Sequence, residues 1–433
     1  MLYKLSNYII NIIETNNDVI LFNAVSGEVI KLNKELYETL LNNELDKDVL
    51  YFNELKQKRF IVPKDQDEFA FLRYNEIITH QTVEPTLLNY VIAPTSACNL
   101  RCVYCFEGNE HPNIVMSTQT INDIIAYIDR QLSKLKKIEE LSITWFGGEP
   151  LLCIDKIIDL GKKLKELAKK YQIKFYSTII TNGVLFTKEN ALILKKQCNL
   201  IGAQITIDGT LENYCAKKNA KKEDFYKLIN NVKDVYEDIE VDIRLNTDKE
   251  NIEDMYKLVD LLFVKMKLTN KLKVHLSQLI NYSGCTNNKF LSYGEYKQAA
   301  NEFVEYLIEK ELLTNNGVKN LPYHKLIQCR MAAKNNYVIG PEGELYKCEQ
   351  HIGNKSMVLG TVTDGLYYNS YYFKNMLGVI DEKCQKCKLY PVCNHYSRCP
   401  QLHKSINNGH TTECEIFNPM LENLKKLVLA SIK

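Results

Sequence analysis

The sequence lacks the features that direct a chain into or across a membrane. It contains no run of about 18 or more consecutive apolar residues, the length that a bilayer-spanning helix requires. The stretch from Met1 to Ile13 is interrupted by Lys4, Asn7 and Asn11 and does not have the layout of a signal peptide. We therefore expect a cytoplasmic protein that makes no use of a membrane.

An excess of charge of one sign is also missing. The chain has 55 Lys and Arg against 53 Asp and Glu, a formal charge of +2. Nucleic acids and anionic lipids are bound through excess positive charge, so we expect neither as a partner. Repeats and low-complexity tracts are absent, and 45% hydrophobic with 25% charged residues exclude intrinsic disorder. The 433 residues correspond to roughly three domains.

Cysteine, in contrast, is abundant, with 14 residues. A secreted disulfide scaffold would be shorter and would follow a signal peptide. In a reducing compartment thiols remain available for iron or zinc. Ten of the cysteines fall into one group of three and one group of seven. This clustering favours metal binding over scattered structural use.

The first 75 residues predict a small unit of their own. The runs Val19 to Phe22 and Glu28 to Leu32 have the composition of two strands joined by a turn. Asn33 is placed to cap a helix, and the spacing predicts burial of three leucines on it: Leu36, Leu40 and Leu41. The charged stretch from Pro63 to Glu68 has the composition of a linker.

From about residue 85 the pattern alternates between strands and helices. Between the strands lie helical patterns, the first of them with Ser117 at the cap position. Six β-then-α units predict a parallel sheet with right-handed crossovers, hence an α/β fold with a partial (β/α)6 barrel. The six predicted strands are Leu87 to Ala93, Leu141 to Phe146, Ile173 to Ile180, Leu200 to Ile207, Ile239 to Leu245 and Leu272 to Leu279.

The first cysteine group follows the first of these strands directly. Cys98, Cys102 and Cys105 stand in the spacing CxxxCxxC. Three thiolates can hold three irons of a four-iron cluster and leave the fourth iron for another ligand. The loop lies at the carboxyl end of a barrel strand, where such folds build active sites. A zinc site is the alternative, although zinc prefers four protein ligands.

The second strand ends in Gly147-Gly148-Glu149-Pro150. Two glycines allow a close backbone approach, and a carboxylate beside them can accept hydrogen bonds from an ammonium group. Together with the cysteine spacing, this sequence resembles the radical S-adenosylmethionine (radical SAM) family over about residues 86 to 300. The resemblance implies that a reduced 4Fe–4S cluster cleaves SAM to a 5′-deoxyadenosyl radical, which abstracts hydrogen from a substrate.

The same resemblance implies roles for individual residues. Cys98, Cys102 and Cys105 would ligate the cluster, and Tyr104 would pack by the adenine. Gly147, Gly148, Glu149 and Pro150 would bind the methionyl amine. Four residues at later strand ends would line the ribose and carboxylate of SAM: Thr181, Asn182, Asp208 and Arg244. For Asp208 and Arg244, a strand-end ion pair is the alternative interpretation.

The second cysteine group lies in the turn-rich segment from about residue 325 to 433. Its spacing is similar to the SPASM extension of radical SAM enzymes, which implies two auxiliary 4Fe–4S clusters and therefore three clusters in total. One spacing departs from that pattern, with five residues rather than three before Cys399. The alternative is a zinc site. The resemblance assigns Cys384, Cys387, Cys393 and Cys414 to an outer cluster, and Cys329, Cys348 and Cys399 to an inner one.

Only three ligands are apparent for the inner cluster, so we expect an open iron that could bind a substrate thiolate, unless Cys285 completes the set. Glu349 directly follows Cys348. Its match to an acidic residue of sulfatase-maturating relatives implies a general base that takes the substrate proton. A solvated surface glutamate is the alternative interpretation.

The N-terminal unit, residues 1–75, resembles the recognition element (RRE) of enzymes that modify ribosomally made peptides (RiPPs), a winged-helix-like domain that binds leader peptides. An exposed edge strand can pair with an extended peptide. A generic N-terminal lid is the alternative. The resemblances thus divide the chain into an RRE-like domain (1–75), a radical SAM core (86–300) and a SPASM domain (325–433).

These resemblances together imply a radical SAM and SPASM peptide maturase. The implied partners are a precursor peptide and an electron donor such as flavodoxin or ferredoxin. The expected product is a thioether of the sactipeptide or ranthipeptide kind. Alternatives are a carbon–carbon or carbon–oxygen crosslink, formylglycine formation on a sulfatase, and a non-catalytic iron–sulfur electron carrier or peptide-binding protein.

Overall fold

The N-terminal unit contains more regular structure than its sequence predicts. In this computed structural model, residues 2–42, 51–82, 85–107, 113–280, 289–312, 321–324, 329, 333–377, 382–393, 414 and 417–432 are described. The elements of the unit are β1 (Tyr3–Leu5), β2 (Ile9–Glu14), β3 (Asp18–Asn23), β4 (Val29–Asn33), α1 (Lys34–Asn42), α2 (Phe52–Gln57), β5 (Ile61–Pro63) and α3 (Glu68–Thr82).

Strands β2, β3 and β4 form an antiparallel sheet, and β1 pairs with β5. The predicted strands are confirmed as β3 and β4, whereas β1 and β2 were missed. In β2 the pairing register shifts between Asn11 and Ile13. This bulge interrupts the period-2 alternation by which a half-buried strand is recognised.

The cap of α1 is as predicted, because Asn33 Oδ1 accepts a hydrogen bond from the Leu36 N–H at 2.8 Å. The prediction for the leucines of α1 is only partly right. Leu40 is buried, but Leu41 is 53% exposed. The linker prediction is wrong at its end. Glu68 begins α3 and is buried, and its carboxylate accepts from the Ser6 hydroxyl and the Asn7 N–H.

The barrel carries the six predicted parallel strands within one residue of their expected starts and two of their ends. Ser117 caps the first barrel helix and accepts from the Thr120 N–H. The elements are β6 (Leu87–Ile92), α4 (Thr118–Lys134), β7 (Glu140–Trp145), α5 (Ile154–Tyr171), β8 (Lys174–Thr181), α6 (Lys188–Cys198), β9 (Leu200–Thr206), α7 (Leu211–Lys218), α8 (Lys222–Val235), β10 (Glu240–Thr247), α9 (Ile252–Val259), β11 (Lys273–Gln278) and α10 (Tyr293–Glu309).

The sheet continues beyond β6, and the sequence did not predict this extension. Its order is β11-β10-β9-β8-β7-β6, extended by β12 (Tyr337–Ile339) and β13 (Leu345–Tyr346). Strand β12 is parallel to β6, and β13 is antiparallel to β12. The C-terminal segment therefore completes the edge of the barrel sheet. Its other elements are β14 (Gly360–Thr361), β15 (Gly365–Leu366), α11 (Ser370–Leu377), α12 (Glu382–Gln385) and α13 (Phe417–Ser431).

The N-terminal sheet is covered on both faces. One face packs with α1 and α2 in a core that includes Ile9, Leu21 and Leu40. The other face packs against the C-terminal segment. In this core Tyr8, in the turn before β2, and Ile10, in β2, pack with residues of α13. None of the described helices is both long and apolar enough to cross a bilayer.

Candidate active site

Three cysteines share the loop that leaves β6. Cys98 Sγ accepts a hydrogen bond from the Leu100 N–H at 3.5 Å, and the Cys105 N–H donates to the Cys102 carbonyl at 3.1 Å. All three cysteines are half-buried, so the loop holds them at the surface of the barrel's carboxyl end.

Burial raises the pKa of these thiols, to about 12 for Cys98 and to about 11 for Cys105, and the negative charges of neighbouring thiolates add to the effect. Three sulfur atoms on one loop therefore need a bound cation to stay ionised together. Among the described residues, no three side chains of Cys, His, Asp or Glu lie in an arrangement that could hold one metal ion. Soft sulfur donors of this kind suit iron and zinc.

The glycines of the turn after β7 are required by the cysteine loop itself. A Cβ on Gly147, whose φ is +127°, would lie 2.3 Å from the Thr95 carbonyl oxygen. A Cβ on Gly148 would lie 2.3 Å from the Ala97 carbonyl oxygen. The Glu149 N–H donates to the same oxygen of Ala97 at 2.8 Å. Glycine is thus needed here for one loop to approach another.

Glu149 is completely buried, and three donors hold its carboxylate. These are the Thr181 hydroxyl at 2.8 Å, the Asn182 N–H at 2.8 Å and the Leu151 N–H at 3.1 Å. Burial still outweighs these hydrogen bonds and raises the pKa of Glu149 to about 7. Pro150 begins the short 3-10 turn Pro150–Cys153 that follows. Predicted residues from two strand ends, β7 and β8, therefore meet at one carboxylate.

Asn182 connects this group back to the cysteines. Its side-chain amide donates to Asn99 Oδ1 at 2.8 Å, and Asn99 immediately follows Cys98. The ends of β6, β7 and β8 are thus joined by a continuous set of hydrogen bonds. This arrangement holds the cysteine loop through Asn99.

Tyr104 extends inward toward the ends of β9 and β10. Its hydroxyl donates to Asp208 Oδ2 and accepts from Asn246 Nδ2 at 3.1 Å and from Lys218 Nζ at 2.8 Å. Arg244 Nε donates to Asn246 Oδ1 at 3.1 Å. Tyr104 is therefore bonded directly to Asp208 and is linked to Arg244 through Asn246.

Asp208 is fully buried and forms an ion pair with Lys218, with Nζ and Oδ2 3.3 Å apart. Asp208 therefore belongs to an ion pair, but its partner lies at the end of helix α7 and is not Arg244, and its role toward SAM stays a prediction. In the described part of the chain, Asp208 Oδ1 has no hydrogen-bond partner. A buried acceptor without a donor fits a site that takes a hydroxyl or amine from a bound ligand.

Sequence reasoning missed Lys218, Thr206 and Asn246. Lys218 Nζ donates to Thr206 Oγ1 at 2.8 Å. Lys217 and Lys218 end an amphipathic helix, a position where lysines are ordinarily solvated. Their burial depends on the docking of α7 against the cysteine loop, which no local pattern encodes. Asn246 could have been predicted, because it lies two residues after Arg244 and alternate residues of a strand share one face of the sheet.

Among the C-terminal cysteines, several of the predicted ligands lie near one another. Burial, and then the charges of Cys393 and Cys414, raise the pKa of the Cys387 thiol. The Cys387 N–H donates to the Cys384 carbonyl at 3.2 Å. Cys399 and Cys285 lie outside the described residues.

The predicted ligands of the inner cluster are described only in part. Cys329 is exposed and Cys348 is half-buried. Burial lowers the pKa of Lys347 to about 7, and the nearby Cys329 thiolate opposes that shift. Cys329 therefore lies close to the residue that precedes Cys348.

Glu349 is half-buried and begins the 3-10 turn Glu349–His351. This turn leads to Ile352, which packs in a small cluster with Ala93 and with Phe146. Phe146 in turn stacks on Phe106, the residue after Cys105, with ring centroids 6.5 Å apart. The turn that carries Glu349 is thus connected by packing to the cysteine loop.

A separate cavity of about 650 Å³ lies beside the N-terminal sheet. It is lined by residues of β1 and β2, by Tyr37 of α1, by the start of α3, and by Gln385, Lys386 and Lys388 of the C-terminal segment. Its lining contains none of the predicted site residues. Among the described residues, β2 pairs only with β3 and so forms an edge of its sheet.

Comparison with known proteins agrees with the arrangement at the carboxyl end of the barrel. Residues 92–262 match the family model of the radical SAM superfamily. A cysteine-type anaerobic sulfatase-maturating enzyme from Clostridium novyi (strain NT) is 25% identical over 376 residues, covering 78% of this chain and 96% of that protein. The radical SAM cyclopropyl synthase TigE from Paramaledivibacter caminithermalis is 26% identical over 229 residues, 44% of this chain and 46% of that enzyme.

Two solved structures share the fold. Native anSMEcpe with bound AdoMet has a TM-score of 0.57 at 18% identity, covering 79% of this chain and 99% of that one. Streptococcus suis SuiB bound to precursor peptide SuiA has a TM-score of 0.55 at 18% identity, covering 96% of this chain and 100% of that one. The chain therefore contains a radical SAM domain, is related in sequence to anaerobic sulfatase-maturating enzymes, and shares the fold of SuiB.

Proposed function

We propose that this protein is a radical SAM enzyme that modifies a ribosomally made precursor peptide, and that it forms a thioether between a cysteine sulfur and a carbon. The observation that carries the proposal is the cysteine loop at the carboxyl end of β6, joined by hydrogen bonds to the Gly-Gly-Glu-Pro turn. When bound there, a 4Fe–4S cluster with SAM supplies a 5′-deoxyadenosyl radical.

In this proposal Cys98, Cys102 and Cys105 hold three irons. Gly147 to Pro150 shape the place of the methionyl amine, with Glu149 fixed by Thr181 and Asn182. Tyr104, Asp208 and Arg244 line the nucleoside side. Support comes from the buried Asp208 Oδ1, which lacks a donor in the described part of the chain and could accept one from a ribose hydroxyl.

The C-terminal segment is proposed to hold two auxiliary clusters. The proximity of Cys387, Cys393 and Cys414 supports an outer cluster that Cys384 completes. Cys329, Cys348 and Cys399 are assigned to an inner cluster with one open iron. A substrate thiolate on that iron would be held beside Glu349, which accepts the thiol proton.

Thioether formation is a two-electron oxidation, so its balance assigns a role to the inner cluster. The radical removes one hydrogen atom from the acceptor carbon, and the thiol proton leaves to a base. The carbon–sulfur bond would then form with one electron left over, and a cluster held by Cys329, Cys348 and Cys399 would supply the acceptor for that electron. The peptide loses two hydrogens in total, and an external donor such as flavodoxin or ferredoxin supplies the electron that cleaves SAM.

The N-terminal unit is proposed to bind the leader of the peptide. Both faces of its three-stranded sheet are buried, so a peptide has access to an edge rather than to a face. The cavity beside β2 provides space along such an edge. Main-chain pairing at a free edge gives affinity that tolerates sequence variation. The fold of SuiB, which was solved with a precursor peptide, covers 96% of this chain.

The first test is the iron and sulfide content of anaerobically reconstituted protein, with its Mössbauer spectrum. Three clusters predict about twelve irons, which fall to about eight when Cys98, Cys102 and Cys105 are all changed to alanine. Four irons together with zinc would contradict the auxiliary clusters. A second test incubates the protein with SAM, a reductant and a cysteine-bearing precursor peptide. SAM cleavage without loss of two hydrogens from the peptide would contradict the thioether.

Sulfatase maturation is a second candidate, favoured by the match to 96% of the length of a sulfatase-maturating enzyme. That reaction would convert the cysteine of a sulfatase-derived peptide to formylglycine. The two candidates are separated by presenting both peptides to the same preparation and measuring product masses. A protein that converts only the sulfatase peptide would replace the thioether proposal.

A further inference from the structure

The helix α7 ends in two lysines that are both buried, Lys217 at 6% and Lys218 at 3% exposure. Lysine is almost never fully buried without partners that compensate its charge. The two side chains have different partners. Lys217 pairs with Asp248 and with Glu250 in the loop after β10. Lys218 instead enters the group formed by Tyr104 and Asp208.

All three N–H donors of the Lys218 ammonium have acceptors within the protein. They are the Tyr104 hydroxyl at 2.8 Å, Thr206 Oγ1 at 2.8 Å and Asp208 Oδ2 at 3.3 Å. An ammonium group has three donors and no acceptor. Lys218 therefore has no donor left for a ligand and can act only through the residues that it holds.

The backbone of the same helix end holds the cysteine loop directly. The Arg101 N–H donates to the Lys218 carbonyl at 3.3 Å, and the Val103 N–H donates to the Lys217 carbonyl at 2.9 Å. The last carbonyls of a helix lack intrahelical partners, and here the loop between Cys98 and Cys105 supplies the donors. The helix end and the cysteine loop are thus fixed to one another on both sides of Cys102.

The charge of Lys218 lowers the pKa of the Cys102 thiol. Burial alone lowers the pKa of Lys218, but the charges of Asp208 and Cys102 outweigh that effect and keep the ammonium ionised. Of the two members of the ion pair, Lys218 has the larger effect at Cys102.

We propose that Lys218 is a positioning residue that fixes the cysteine loop through Tyr104 and places a buried positive charge where it stabilises the reduced cluster. The inference rests on the proposed cluster at Cys98, Cys102 and Cys105. Reduction adds one electron from the external donor to the cluster, and no bond is made or broken. A fixed positive charge in a site of low dielectric favours the added negative charge.

The test compares Lys218→Met with Lys217→Met in the full-length reconstituted protein. Each change removes one buried ammonium from adjacent positions of the same helix end, and each leaves the backbone carbonyl in place. The reduced cluster is followed by electron paramagnetic resonance during an anaerobic redox titration. The signal that changes when SAM is added identifies the cluster of Cys98, Cys102 and Cys105 among any others.

We expect Lys218→Met to lower the equilibrium constant for one-electron reduction of that cluster at least tenfold, a shift of about 59 mV. Lys217→Met should change it less than threefold. Equal shifts in both variants, or no shift in Lys218→Met with full iron content, would overturn the proposal. Lys218→Arg covers the case in which Lys218→Met loses the cluster. It should keep the constant within threefold of wild type, and a tenfold fall would overturn the proposal.

A failure of the underlying cluster assignment is visible separately, in the wild-type protein. If wild type shows no SAM-sensitive signal, or if the triple cysteine variant keeps all of its iron, the cluster assignment is wrong before any lysine variant is compared. In that case the role of Lys218 is overturned with it.

Discussion

Replacing Gly148 by alanine tests the contact on which the whole site depends. The added Cβ would lie 2.3 Å from the Ala97 carbonyl oxygen and 2.6 Å from that of Ser96. Both neighbours are backbone atoms, so neither can move away by a side-chain rotation. The two loops would have to separate by about 1 Å to reach ordinary van der Waals contact.

The cost of this separation follows from its two parts. Overpacking typically costs about 1–3 kcal/mol. Loss of the hydrogen bond from the Glu149 N–H to the Ala97 carbonyl oxygen, 2.8 Å long, adds about 1 kcal/mol. We expect Gly148→Ala to lower the free energy of unfolding by about 3 kcal/mol, which corresponds to roughly 6–12 °C in melting temperature for a domain of this size.

Gly202→Ala is the matched control. Gly202 lies in β9, and its added Cβ would be 3.5 Å from the nearest atom, the Glu240 carbonyl oxygen. We expect this variant to melt within about 2 °C of wild type. Melting is measured on metal-free protein by circular dichroism, and hydrogen exchange at the Glu149 N–H reports the separation of the loops.

The result that would refute the reasoning is a Gly148→Ala protein that melts like Gly202→Ala and protects the Glu149 N–H as wild type does. Such a result would mean that the two loops do not approach each other as closely as the structure has them. A variant that is destabilised but binds iron normally would instead separate the stability of the turn from its role in the site.

Two further predictions concern Glu149 and the shared core of the two chain ends. Burial raises the pKa of Glu149 to about 7 from its ordinary value of 4.5, so the folded chain retains a proton that the unfolded chain has released. As the pH rises between these two values, the free energy of unfolding of metal-free wild type should fall by roughly 3 kcal/mol relative to that of Glu149→Gln. The measurement is urea unfolding of both proteins at a series of pH values. Unfolding free energies that change in parallel with pH would contradict this prediction. Leu424 of α13 packs with Tyr8 and Ile10. Leu424→Ala should therefore lower the free energy of unfolding by about 2–5 kcal/mol and make the N-terminal sheet more susceptible to protease. Digestion of that sheet at the wild-type rate would show that it folds independently.

Much of the barrel could be predicted from sequence because local and tertiary requirements coincide there. Strand β6 is a mostly apolar run that the sheet buries, and Ser117 caps a helix that its own apolar periodicity defines. The N-terminal unit was predicted less completely. The bulge in β2 hides its alternation, and α3 begins at the charged residue Glu68, whose burial depends on donors about sixty residues away.

The predicted site residues were found by spacing, but their relations to one another were not. Cys98, Cys102 and Cys105 are close in the chain, so any loop that holds them keeps them together. Glu149 and Thr181 meet only because β7 and β8 are parallel neighbours whose carboxyl ends lie at one edge. The place of β12 beside β6 could not be read from three residues, because a strand so short carries no period of its own.

The sequence by itself determined the chemistry that is available: three thiols in a tight spacing, a glycine pair before a carboxylate, and six alternating units that bring strand ends to one edge. Only the tertiary structure decided which charges are buried beside those thiols. Lys218 resembles any solvated lysine at a helix end until α7 docks on the cysteine loop. Burial, and with it the strength of an electrostatic interaction, is a property of the packed molecule and not of a residue's neighbours in the chain.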